Sequence, residues 1–224
     1  VNLLGFDTST AASAACVLRA DGEAFEAIPA VEELDAPPAH SRDLLRRVHE
    51  TLERAGLGFA DLDAVAVGAG PGAFTGLRVG VATARAIAKA HALELRPVSS
   101  LAALARGIDG DERLPLIDAR RGELFAALYD GAGREIVAPF VAAPEAVAER
   151  VHGHARNPLA AGDGSLRFRG LLEPAGVRVA PGGSQVHVVR ALHVCRLAVG
   201  SDPVPPEGVL PTYLRAPDAQ PRST

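Results

Sequence analysis

The stretch Gly68-Ala69-Gly70-Pro71-Gly72-Ala73-Phe74-Thr75-Gly76 decides how the rest of the chain is read. It joins an apolar run at 64–68, reached through Asp61 and Asp63, to a helical pattern that ends near His91. Glycine tolerates positive φ and the close approach of another chain or ligand, and Pro71-Gly72 favours a tight turn. Thr75 is placed to cap the helix that follows. A helix opening behind a glycine-rich turn can hold an anion on its free N–H groups. A P-loop would need GxxxxGK[ST], and no such run exists. Gly68, Gly70 and Ala73 fit the dinucleotide pattern G-x-G-x-x-A. The only acid near the required distance, Glu94, precedes its strand, and the upstream segment is not the start of a βαβ unit. A plain strand-to-helix turn stands beside these readings.

The helix behind the loop carries more information. Leu77, Val81, Ala84, Ala88 and His91 share one face, and Gly80, Ala84 and Ala88 form a stripe of small residues that admits another backbone. Arg78, Ala82, Arg85 and Lys89 form a second, cationic stripe. A helix so apolar over most of its circumference is either sandwiched inside its own chain or shared with a partner.

Upstream, apolar runs at 1–6 and 11–18 flank Asp7-Thr8-Ser9-Thr10 and predict a β-hairpin, with a third strand at 23–28 after Asp21-Gly22. A helix is predicted over 41–55, with Leu44, Leu45, Val48 and Leu52 on its apolar side and Arg42, Arg46, Arg47 and Glu50 opposite. Ser41 suits its N-cap and Gly56 its end. Downstream come a strand at 95–98 and a short helix at 99–106. Strands follow at 114–118 and 123–129, a helix at 144–151, strands at 159–161 and 177–180, and a helix at 185–199. The order predicts an α/β protein of mixed sheets flanked by helices, in two lobes, 1–100 and a smaller 101–210. The proline-rich tail, 211–224, is expected to be partly disordered.

Composition narrows the function. The chain has 224 residues, 48% of them hydrophobic, with 22% charged and a formal net charge of −4. That balance argues against independent nucleic-acid binding. Cys16 and Cys195 lie far apart with no CxxC, and the seven histidines (40, 49, 91, 152, 154, 187 and 193) form no HExxH. No metal site and no cofactor are expected. No G-x-S-x-G elbow surrounds a serine. Without a visible signal peptide or an apolar run of membrane length, a cytoplasmic location away from membranes is expected. Asp7, Asp118 and Asp163 each end a predicted strand, where α/β enzymes place working acids. Asp7 stands out, because its hairpin resembles the phosphate-binding hairpin of actin-like ATPases.

These pieces together resemble the TsaB family. The matching stretches are Leu4-Gly5-Phe6-Asp7-Thr8-Ser9-Thr10, His40-Ser41 with Leu44-Leu45, and the block from Gly70 to Gly80. Val98-Ser99-Ser100-Leu101, Asp118-Ala119-Arg120, Gly162-Asp163-Gly164 and Pro211-Thr212-Tyr213-Leu214-Arg215 follow in the family's order. Ala73 stands where the family usually has serine. The resemblance implies an ASKHA (actin, Hsp70 and sugar-kinase) fold. It also implies a role in placing a threonylcarbamoyl group on adenosine 37 of tRNAs that read ANN codons. In that system TsaB is the non-catalytic paralogue of the transferase TsaD, with the ATPase TsaE in the larger complex and tRNA reached through it. TsaD carries two metal-binding histidines whose aligned positions here are Ser100 and Leu104, a pair poorly suited to a metal.

The expected partner surface is the helix pair carrying Leu44, Leu45, Val48, Leu52, Leu77, Arg78, Gly80, Val81, Ala84 and Ala88. It would form a four-helix bundle with TsaD, or a homodimer in its absence. Asp7, Thr8, Ser9, Gly70, Pro71, Gly72, Phe74, Thr75 and Gly76 are expected to be vestigial nucleotide-type loops. The alternatives are a small-molecule kinase or ATPase using Asp7 and the glycine loop, and a metal-dependent glycoprotease-like hydrolase.

Overall fold

The computed structural model describes residues 1–214. The part of the tail at 215–224, including Arg215, lies outside the described residues. The chain runs β1 (Leu3–Asp7), β2 (Ala14–Leu18), β3 (Ala24–Ala27), α1 (His40–Ala55), β4 (Ala64–Gly68), α2 (Phe74–His91), β5 (Glu94–Val98) and α3 (Ser100–Ala105). It continues with β6 (Glu112–Arg120), β7 (Glu123–Asp130), β8 (Glu135–Ala142), α4 (Pro144–His152), β9 (Leu159–Ala161), α5 (Asp163–Arg167), α6 (Arg169–Leu172), β10 (Arg178–Val179) and α7 (Ala191–Ala198).

Two five-stranded sheets form, in the orders β3-β2-β1-β4-β5 and β8-β7-β6-β9-β10. In each, three antiparallel strands continue into two parallel ones. The sheets are therefore the same motif built twice, although the sequence shows no repeat. Strand alternation sorts the first sheet's faces. Leu4, Phe6, Ala15, Val17, Val65 and Val67 meet α1 and α2, and the smaller Ala14, Cys16, Ala64 and Ala66 face the other way. That small-residue face receives α7. A Cβ on Gly5 would collide with Cys195 Sγ and lie 3.3 Å from the Ala191 carbonyl oxygen. Ile117, Phe125, Ala127 and Tyr129 of the second sheet close the same core, with α3 between the sheets.

Most elements fall where the periodicity puts them, and the exceptions have physical causes. Ser41 is not the N-cap of α1; Ala39 holds that position without a side-chain bond, and Gly56 ends the helix in the left-handed region at φ 66°. Thr75 likewise lies inside the first turn of α2, and Ala73 precedes it. The helix expected over 185–199 is broken: a 3-10 turn at Gln185–His187 is followed by extended backbone, and α7 begins only at Ala191. The β-branched Val188 and Val189 occupy the break. Strand β8 and helices α5 and α6 were not expected. β8 contains Pro139 and pairs with β7 through register shifts, which blurs its alternation.

The boundary between lobes is not one cut. α7, from the second half of the chain, packs on the first sheet, and Val209 is buried beside α2. Glu26 on β3 ties it there, accepting from Arg190 Nη2 at 2.5 Å and from the Leu192 amide at 3.0 Å. Residues 211–214 are part of the fold: the Thr212 amide donates to the Ala69 carbonyl at 2.7 Å.

Candidate functional site

The hairpin turn after β1 and the glycine-rich loop after β4 meet above the C-terminal ends of two adjacent parallel strands, the usual place for ligands in such sheets. Here each loop fills the space the other would offer. Asp7 is only 2% exposed. Its Oδ1 accepts from the Ser9 amide at 2.7 Å and the Ser9 hydroxyl at 2.6 Å. Its Oδ2 accepts from Ser100 Oγ at 2.6 Å, and Ser100 Oγ in turn accepts from the Gly70 amide at 3.2 Å. Thr8 Oγ1 donates to the Gly76 carbonyl at 2.7 Å, and the Ala73 amide donates to Ser9 O at 2.7 Å. Burial pushes the Asp7 carboxyl up, against the pull of the Ser100 and Ser9 hydrogen bonds and the His40 charge. His40 packs beside the turn, with Nδ1 2.9 Å from Ser13 Oγ.

The glycines are there because of close approach. A Cβ on Gly68 would strike Asp7, on Gly72 the Ser9 backbone, on Gly76 the Thr8 carbonyl, and on Gly80 the Thr8 hydroxyl. Gly70 also needs its φ of 106°, and the Gly70–Pro71 bond is cis. The amides of Gly70 and Ala73, which a phosphate cradle would present to its ligand, are occupied within the chain. Thr8, Ser9, Pro71 and Gly72 are buried, while Phe74 and Thr75 lie outside on the first turn of α2.

The family model of tRNA N6-adenosine threonylcarbamoyltransferase, TsaD, matches residues 34–194. The tRNA threonylcarbamoyladenosine biosynthesis protein TsaB of Escherichia coli is 29% identical over 96% of this chain and 95% of its own length. YeaZ from Pseudomonas aeruginosa superposes with a TM-score of 0.80 at 30% identity, covering 95% of this chain and 99% of that one. The chain belongs to the TsaB family. Its fold is the two-lobed ASKHA fold. An uncharacterized protein of Mycobacterium leprae is 36% identical over 98% of this chain, which spans only 56% of that relative's length.

Ser100 and Leu104 are the positions that the family resemblance sets against the transferase's metal-binding histidines. Ser100 is committed to Asp7, and Leu104 is buried in the core between the sheets. These residues do not fit a metal: one hydroxyl is already spent and the other side chain has no donor.

The second lobe of this TsaB-family chain repeats the arrangement loosely. Asp118 ends the straight part of β6, and its Oδ1 accepts from the Arg120 amide at 2.8 Å. Its Oδ2 lies 3.2 Å from Arg120 Nη1 and 3.7 Å from Arg167 Nε. Asp163 Oδ1 accepts from the amides of Asp118 at 3.1 Å and Gly164 at 2.8 Å. Burial pushes Asp163 up to about 6. Both acids border a cavity of about 310 Å³ closed on the first lobe's side by Val31 and Leu34.

The ten residues expected at the partner surface separate into two sets. Leu44, Val48, Leu52, Val81, Ala84 and Ala88 are buried in this chain's own core against the first sheet, and Leu77 is buried beside Gly70 of the glycine loop. Gly80 is buried too, and it admits Thr8 of the same chain instead of a partner's backbone. These eight offer no side-chain area to another subunit, because their apolar stripe is the one that packs on the sheet. Leu45 is 55% exposed, and Arg78 is exposed with its guanidinium 3.8 Å over the Phe74 ring. Arg78 Nε also donates to the Tyr213 hydroxyl at 3.3 Å, and the Tyr213 ring lies tilted by 36° against Phe74 with centroids 5.4 Å apart. Arg47, placed by periodicity on the outer face of α1, is buried instead against Glu33, with Nη2 2.6 Å from Oε2. The Asp7–Ser100 bond was not foreseeable from spacing, since 93 positions separate the partners.

Proposed function

We propose that this chain is a non-catalytic subunit of tRNA threonylcarbamoyladenosine biosynthesis that works by binding the catalytic paralogue, TsaD. Family membership supplies the pathway. The observation that carries the non-catalytic part is the closed glycine loop, in which Asp7, Ser9, Ser100 and the Gly70 amide satisfy one another and the Ala73 amide donates to Ser9 O. A catalytic or phosphate-binding group must present free donors or acceptors to a ligand. In this reading the loop's task is to hold α2 firmly against the hairpin, so that α1 and α2 offer a rigid outer surface. Leu45, Phe74, Arg78 and Ala82 lie on that surface and support contact with the equivalent helices of TsaD. TsaE joins the larger complex, tRNA is reached through it, and the same surface makes a homodimer when TsaD is absent.

Copurification with TsaD tests this. The double variant Leu45→Glu and Ala82→Arg is expected to lose TsaD while melting as the parent chain does. Full retention of TsaD would contradict the surface. The kinase or ATPase reading keeps one supporting observation, the 310 Å³ cavity between the lobes beside Asp118 and Asp163. A rise in melting temperature with Mg-ATP would favour it.

A further inference from the structure

A second cleft, away from the glycine loop, opens where α3, α7 and the β7–β8 turn converge. Its volume is about 340 Å³, and Arg106, Arg113, Arg196, His193, Tyr129 and Gly131 line it. No acidic side chain is among its lining residues. Among the described residues Arg106 and Arg196 have no ion-pair partner, and Arg113 donates from Nε only to the Gly110 carbonyl, at 3.0 Å. Of the acids nearby, Glu135 acts on Tyr129 through its charge without lining the cleft. Asp130 accepts from Arg134 Nε at 2.7 Å and from the Ala132 amide at 2.9 Å, and Asp111 lies against Gly131 without lining the cleft.

His193 is 9% exposed, and its Nδ1 is buried without a hydrogen-bond partner. A buried nitrogen without a partner is costly, and this one lies in a ring that lines the cleft beside guanidiniums with no ion-pair partner. Helix-end arginines on solvated faces are commonplace, and Arg196 in the last turn of α7 alone would be one. Three arginines from three different elements facing one cleft beside that histidine are not explained by helix ends.

We propose that this cleft binds a phosphate group. Guanidiniums present several N–H donors in a fixed plane that matches phosphate oxygens, and three of them suit a dianion better than a single carboxylate. The surrounding charge agrees. Burial first, and then Arg190, Arg196 and Arg106, hold His193 down to about 4, so at neutral pH it meets a ligand as an uncharged imidazole. Tyr129, pushed up to about 12 by burial, stays a neutral hydroxyl. The phosphate can belong to a small metabolite or to an RNA backbone; the second source rests on the tRNA reading above.

The test is NMR of the His193 ring during titration with inorganic phosphate, with chloride at matched ionic strength as the control. Saturable movement of the His193 signals by phosphate alone is expected, weakened roughly tenfold or more in the variant Arg106→Gln with Arg196→Gln. Both side chains are exposed, so the melting temperature should hold. His193 signals that ignore phosphate, follow chloride equally, or respond unchanged in the variant overturn the site. A second titration with tRNA separates the sources. Movement of the same signals, lost in the variant, assigns the phosphate to RNA; silence with tRNA and a response to phosphate assigns it to a small molecule. Either leaves the site standing, and neither depends on whether the chain serves threonylcarbamoyladenosine synthesis, which its depletion tests separately.

Discussion

Gly80 separates an internal role for the glycine loop from a partner role most cleanly. A methyl group there would overlap Thr8 Oγ1, the hydroxyl that donates to the Gly76 carbonyl at 2.7 Å. Gly80→Ala therefore forces the hairpin turn off α2. Overpacking of this kind costs about 1–3 kcal/mol. For a chain of this size that corresponds to a drop of roughly 2–12 °C in melting temperature. Thr8→Ala removes the obstructing hydroxyl and costs the buried hydrogen bond, about 1 kcal/mol, with some further loss of packing. In the Thr8→Ala background the nearest remaining atom to the new methyl is Thr8 Cβ at 3.6 Å, ordinary contact. Gly80→Ala should then cost almost nothing. Urea unfolding of the four proteins of this double-mutant cycle should show a favourable coupling of about 1 kcal/mol or more. Equal costs of Gly80→Ala in both backgrounds would refute the internal packing. No cost in either, joined to loss of TsaD binding, would return Gly80 to the partner surface.

Further outcomes follow from the same geometry. Leu44→Ala should destabilise by about 2–5 kcal/mol, whereas the exposed Leu45→Ala should stay within about 0.5 kcal/mol, both read by denaturant unfolding. Glu26→Ala strands Arg190 and the Leu192 amide and should cost about 3 kcal/mol, with α7 the first helix to lose hydrogen-exchange protection. His193 is neutral in the folded chain down to about 4, whereas the unfolded chain takes up its proton near 6.5. Its effect is therefore absent above pH 6.5 and destabilises the fold as pH falls from there toward 4, by about 3 kcal/mol at most. Subtracting the pH profile of a His193→Gln variant isolates that slope.

The parts of the fold that could be read in advance are those with local signals. The first hairpin, β4, α1 and α2 announce themselves through alternation, helical spacing and punctuation by Pro37-Pro38, Gly56 and the glycine loop. The rest depends on contacts between distant residues. An amphipathic stripe states that a helix face is buried but not against what, so Leu44, Val48, Leu52 and the Gly80 stripe read equally well as partner surface. The structure gives them to the first sheet and to Thr8. Arg47 looked solvated because its neighbours on α1 are, yet Glu33 from the preceding turn draws it inward. The arrangement of the site was half legible. Missing motifs and Leu104 argued against chemistry, but Ser100 closing on Asp7 joins two elements that no spacing rule connects. α5 and α6 are too short to carry a period, and β8 is blurred by Pro139 and its slipped pairing.

The pathway assignment is tested most directly by depleting this protein and quantifying threonylcarbamoyladenosine in total tRNA by mass spectrometry. Loss of the modified nucleoside is predicted, restored by the parent chain and not by the Leu45→Glu, Ala82→Arg variant. An unchanged level after depletion would contradict the account.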